Sequence, residues 1–171
     1  MENQTTTTRT ALKWGVIIGI IFIVYNVIIW VSGQIGNQTL TYFAYPVLAA
    51  GIYFAMKEFR GENQGFMSYG QGLGLGTMKG AIIGVLFGLF TLVYMKFIDT
   101  SLPNQMMKIA EKNMEKQGIP DEQIEQGMEM TKMLMTPSAF CVISVLTYTF
   151  LGFVFSLIIA AILKKNKPVF Q

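Results

Sequence analysis

Three groups of residues in this chain are of types that do chemistry. Lys79 stands in an otherwise apolar run, where an ammonium is a functional candidate by default, on an ion path or against an anion. Met128, Met130, Met133 and Met135 fall within MEMTKMLM, and thioethers are soft ligands that suit Cu(I). Asp121, Glu122, Glu125 and Glu129 cluster just before them and offer hard oxygen ligands to a cation.

Each group has a plainer reading. Alternate methionines do not share a helix face, no His or Cys stands near them, and methionine is an adaptable packing residue. The acidic group lacks the D-x-[DN]-x-[DN]-G spacing of a calcium loop, and acids at a helix start complement its dipole. We therefore assign no metal and no cofactor. For Lys79, no candidate span contains an acidic partner. Counting back about 20 residues from Ile98 puts the membrane edge near Lys79, so its four-carbon stem is expected to snorkel to the headgroups.

The residues that are missing narrow the chemistry further. The chain has no histidine, and Cys141 is its one cysteine. Zinc sites of the usual Cys/His kind, His-based nucleophilic catalysis and an intrachain disulfide are thereby excluded. Membrane-embedded hydrolases need paired acids, a metal cluster or an activated nucleophile, and no span supplies one. We assign no catalytic residue and expect a protein that is not an enzyme.

The clearest spacing is structural. Gly72, Gly76, Gly80, Gly84 and Gly88 recur every fourth residue and line one side of a helix, a glycine-zipper pattern. In water each interior glycine costs roughly 1 kcal/mol relative to alanine. In a bilayer small residues let helices approach closely, so this row is assigned to helix packing. Gly152 and Ser156, within a second four-residue row of mostly small residues (144, 148, 152, 156, 160), are its first candidate partners. Gly15 and Gly19 come next. Because each four-residue step rotates by roughly 40°, the row is expected to wind around its helix rather than face one neighbour throughout. The lead-in Gly70, Gly72, Gly74, Gly76 matches neither G-x-G-x-x-G nor G-x-x-x-x-G-K-[ST], which removes a nucleotide loop.

The elements that carry these residues follow from hydropathy. Hydrophobic residues make up 52 % of the chain and charged residues 13 %, about half the usual soluble share of ~25 %. That marks an integral membrane protein in contact with the lipid bilayer. The small excess of Lys and Arg flanks apolar segments and forms no patch, so no nucleic-acid partner is expected. The pattern predicts an all-α polytopic fold, a single membrane domain over 1–171 with four transmembrane helices near 11–31, 40–56, 77–98 and 138–163. Residues 1–10 read as a frayed tail, and the first run is too long for a signal peptide. Trp14 and Trp30 are placed like interfacial anchors. The second span is short, and Pro46 should kink it. GQGLGLGTM reads as an interfacial or re-entrant lead-in.

Between the third and fourth spans, residues 99–137 predict an amphipathic extracytoplasmic helical hairpin. Lys108, Lys112 and Lys116 form a basic stripe on one arm, expected to face Asp121, Glu125 and Glu129 on the other. Thr136-Pro137 predicts the start of the fourth helix. Asn26, Ser144, Thr147 and Thr149 are expected to hydrogen-bond between helices. Orientation follows from Arg9, Lys13, Lys57, Arg60, Lys164, Lys165 and Lys167, which four spans put on one side, with both termini cytoplasmic.

The phrases SYGQGLGLG, YMKFID, EKQGIPDEQIEQGMEM and LGFVFSLIIAAILKK resemble an uncharacterised bacterial membrane family, domain-of-unknown-function family 4199. The resemblance spans nearly the whole chain. It implies a four-span protein of a Gram-negative inner membrane with a periplasmic hairpin, and it brings no activity and no catalytic residues. The resulting expectation is a non-enzymatic scaffold, assembly or accessory protein, with a homo-oligomer or a membrane-protein partner as its associate. The alternative is a small transporter or channel acting as an oligomer.

Overall fold

Hydropathy and capping set where each helix begins and ends. A computed structural model of the protein describes residues 6–167. The tail expected at 1–10 lies outside them for residues 1–5, while α1, Thr7–Val31, already begins at Thr7, capped by the Thr6 hydroxyl accepting from Arg9 N–H. The other elements are α2 (Gln38–Glu62), α3 (Tyr69–Val93), α4 (Leu102–Lys116), α5 (Asp121–Leu134) and α6 (Pro137–Leu163). A π-helical turn, Tyr94–Ile98, extends α3. Among the described residues there is no strand, only a single bridge between Met67 and Lys165.

Four of these helices, α1, α2, α3 with its π turn, and α6, are long and apolar enough to cross a membrane. The protein is a multi-pass membrane protein. The second span is not short: α2 is a 25-residue helix that runs through Pro46. Nor is GQGLGLGTM a separate lead-in. Ser68 Oγ accepts from Gln71 N–H at 3.2 Å while Gln71 Oε1 accepts from Ser68 N–H at 2.8 Å. This capping box starts the helix at Tyr69, and the glycines that follow continue it without a break.

The bundle has two ends. At one, Arg60 donates to the Leu163 carbonyl at 3.2 Å and Lys165 bridges to Met67, so the α2–α3 link meets the end of α6. Lys13 and Trp14 of α1 reach the Glu58 carboxylate of α2 at 2.8 and 3.1 Å. At the other end the 32–37 loop meets α4, where a Cβ on Gly36 would stand 2.7 Å from Ile109. Helices α4 and α5 turn about Gly118, whose φ of +71° suits glycine at the end of a helix.

The core divides accordingly. Ile18, Phe22, Leu48, Ile52, Met56, Leu75 and Ile83 pack between α1, α2 and α3. A second cluster joins Trp30, Phe87, Tyr94, Met95 and Leu102 near the α4 end. Trp30 is therefore not a lipid-facing anchor. It is only 8 % exposed and sits among Phe87, Phe90 and Tyr94, which share one face of α3 at i, i+3 and i+7. The outward faces stay apolar, with Ile20, Val24 and Ile28 of α1 and Leu146, Phe150 and Ile158 of α6 all exposed.

Candidate functional site

All five glycines of the α3 row face α6. A Cβ added to Gly72 would stand 2.7 Å from Ala160 Cβ, and one on Gly76 would collide with the Ser156 hydroxyl. On Gly80 it would collide with the Tyr148 carbonyl, on Gly84 lie 2.7 Å from Val145 Cα, and on Gly88 2.8 Å from the Cys141 carbonyl. Gly152 reciprocates, its added Cβ lying 2.5 Å from the Gly76 carbonyl and 3.0 Å from Gly80 Cα. The expected drift to other neighbours does not occur. The i, i+4 row is a ridge inclined to the helix axis, and a partner that crosses along that incline keeps touching it. Gly15 and Gly19 of α1 instead meet Ile82 and Leu86 on another side of α3.

Lys79 sits on the side of α3 that faces α1 and α2. It does not snorkel. The residue is fully buried, and its Nζ has no hydrogen-bond partner among the described residues. The reason is Gly51 of α2: a Cβ there would stand 2.5 Å from Nζ and 2.8 Å from Ile18. The missing side chain leaves a slot in α2 that the ammonium end of Lys79 fills, and Ile18 closes it. In a bundle interior this amine can bind a proton, a water or an anion, and nothing in its immediate wall is set to react with it. Sequence reasoning missed Gly51, although a lone glycine within an apolar helix does signal a close approach. It also missed Glu58, the acceptor that ties Lys13 and Trp14 to α2. Two further buried hydroxyls, Thr10 and Thr91, have no partner among the described residues.

The expected hydrogen bonds between helices are not made. Asn26 donates to the Phe22 carbonyl, Ser144 to Phe140, Thr149 to Val145 and Ser156 to Gly152, each one turn back in its own helix. Opposite Ser156 stands Gly76, which offers no side-chain acceptor, and in each case the carbonyl four residues earlier takes the bond.

A family model described as "Protein of unknown function (DUF4199)" matches residues 13–165. The chain belongs to that family. No curated protein and no solved structure matches it. The matched DUF4199 region includes most of α1 and all of α2 to α6, so the features described here lie within it.

In this DUF4199 protein the helices between the third and fourth spans are oriented differently from the expected pairing of stripes. Between α4 and α5 lies an open cleft of about 440 Å³. Glu111 and Glu115 of α4 face Asp121, Glu125 and Glu129 of α5 there, with Lys132 at its edge. Lys108, Lys112 and Lys116 point elsewhere. Buried Ile124 and half-buried Met107 and Met128 line the cleft with them, so the glutamates of α4, and not its lysines, border it. Met130 and Met133 are exposed, separated from Met128, so the methionines do not converge on one point. Among the described residues no group of three or more His, Cys, Asp or Glu side chains is arranged to hold a metal ion.

Proposed function

We propose that this protein is a non-enzymatic scaffold, of an assembly or accessory kind, in the cytoplasmic membrane of a bacterium. The observation that supports this reading is the seat of α3 on α6, where glycines at 72, 76, 80, 84 and 88 bring two helices close enough for backbone contact. Small residues let two helices pack backbone to backbone, and we read this pair as the rigid part of the bundle. Helices α4 and α5 are inserted between these two, so a rigid base carries them. In the orientation we propose, the end bearing Arg9, Lys13, Lys57, Arg60, Lys164, Lys165 and Lys167 lies in the cytoplasm. Residues 99–137, with seven acidic and four basic side chains, then face the periplasm and dock the partner. Photo-crosslinking amino acids placed singly at exposed positions of α4 and α5 test this in cells. The reading expects one dominant protein adduct from neighbouring positions; no adduct from any of them would overturn it.

A second reading, a small transporter, is favoured by one observation, the buried and unpartnered amine of Lys79. It expects solute flux in reconstituted vesicles that Lys79→Leu abolishes. Absence of flux across a broad solute panel would remove it.

A further inference from the structure

A cleft of about 230 Å³ lies on the flank of the bundle between α2 and α6, in the half nearer the 32–37 loop. Its floor is Phe22, Leu48, Phe87 and Ser144, all buried. Its rim is Thr41 and Tyr45 of α2 with Thr147 of α6, all exposed. We propose that this cleft is a lipid site that takes one acyl chain of a bilayer phospholipid.

Three observations carry the assignment. The rim residues are exposed on both helices, so the cleft opens outward, and the outward positions Leu146 and Phe150 of α6 are both 65 % exposed. In a multi-pass membrane protein that flank meets hydrocarbon, which makes the lipid tail the neighbour at hand. The size fits as well: an apolar cavity of ~150 Å³ already holds a benzene ring and stays dry, so this larger one suits a stretch of hydrocarbon chain better than water. The polarity of the floor is that of a hydrocarbon tail. The Ser144 hydroxyl on the floor is turned back to the Phe140 carbonyl at 2.8 Å, leaving the floor apolar towards a guest. Thr41 is already bonded to the Asn37 carbonyl at 3.2 Å and serves as a wall.

The test uses the full chain in phosphatidylcholine vesicles that contain a phosphatidylcholine with a diazirine on one acyl chain. After irradiation, labelled residues are mapped by peptide mass spectrometry. Labels are expected on the floor at Phe22, Leu48 or Phe87, as well as on outward Leu146 and Phe150. Ala44→Phe and Ile143→Phe, which fill the cleft from opposite walls, should each abolish the floor labels and leave the outward labels, the latter showing that the bundle is intact. An unlabelled floor in the unmodified protein overturns the assignment, as does floor labelling that survives both substitutions. A crosslink to a second copy from a benzophenone at position 147, with the floor unlabelled, gives the cleft to another chain and equally overturns it.

Discussion

Lys79 and Gly51 form a matched pair. The lysine brings a polar end into the interior of the bundle and the glycine leaves the space that receives it. A buried donor without a partner costs about 1–3 kcal/mol. Lys79→Met keeps the length of the stem and removes that donor, so it should raise stability by about that amount in a thermal melt in mild detergent. A destabilised variant would show instead that the amine is held by a partner. The reverse substitution acts on the slot. Gly51→Val would push branched carbons against Nζ and Ile18, and overpacking of this kind costs about 1–3 kcal/mol, which the same melt reads. The sequence singles out Lys79 as unusual, because a cation in an apolar run is a local signal. Its burial was not legible, since the slot belongs to another helix. Trp30 repeats the point: position in the chain suggests an interfacial anchor, and its seat against Phe87, Phe90 and Tyr94 of α3 is a tertiary event.

At the scale of elements, one helix contains glycines with opposite roles. Gly74 has open space around it, whereas Gly80 lies against the backbone of α6. Replacing Gly74 by alanine should stabilise the protein by about 0.4–1 kcal/mol through helix propensity and a less flexible unfolded chain. Gly80→Ala adds the same carbon against the Tyr148 carbonyl and should destabilise it. Equal effects at the two positions, measured side by side in thermal melts, would contradict the contacts described. The four-residue row was legible, and so was its first candidate partner, because the small residues of α6 share the same spacing. That the row stays on α6 over its whole length was not, since it depends on how the two helices cross. The same limit applies to α4 and α5. Their periodicity marks two amphipathic helices, but which charges border the cleft depends on how α4 and α5 sit against each other.

For the whole molecule, local signals add up well. Hydropathy finds four long helices, and the links between them fall at two ends of one bundle. The basic flanks at 9–13, 57–60 and 164–167 gather at one end, where Lys13 pairs with Glu58 and where Arg60 and Lys165 tie the α2–α3 link to the last turn of α6. With that end in the cytoplasm, Gln117→Cys in a Cys141→Ser background should react with a membrane-impermeant maleimide added to intact spheroplasts, and Gln64→Cys only after lysis. The opposite pattern would reverse the proposed orientation. The glycine row lies against α6 along its length, so it is used up inside one chain as the keel on which α6 lies and leaves no groove for a second copy. Gly88 offers the most direct measurement, because a Cβ there would stand 3.1 Å from the Sγ of the native Cys141, in reach of a disulfide once the helices give the few tenths of an ångström that its 2.8 Å approach to the Cys141 carbonyl requires. Upon oxidation in membranes, Gly88→Cys should lose both thiols to maleimide labelling while the protein still runs as a monomer on a non-reducing gel. A covalent dimer, or two thiols that remain free, would contradict it.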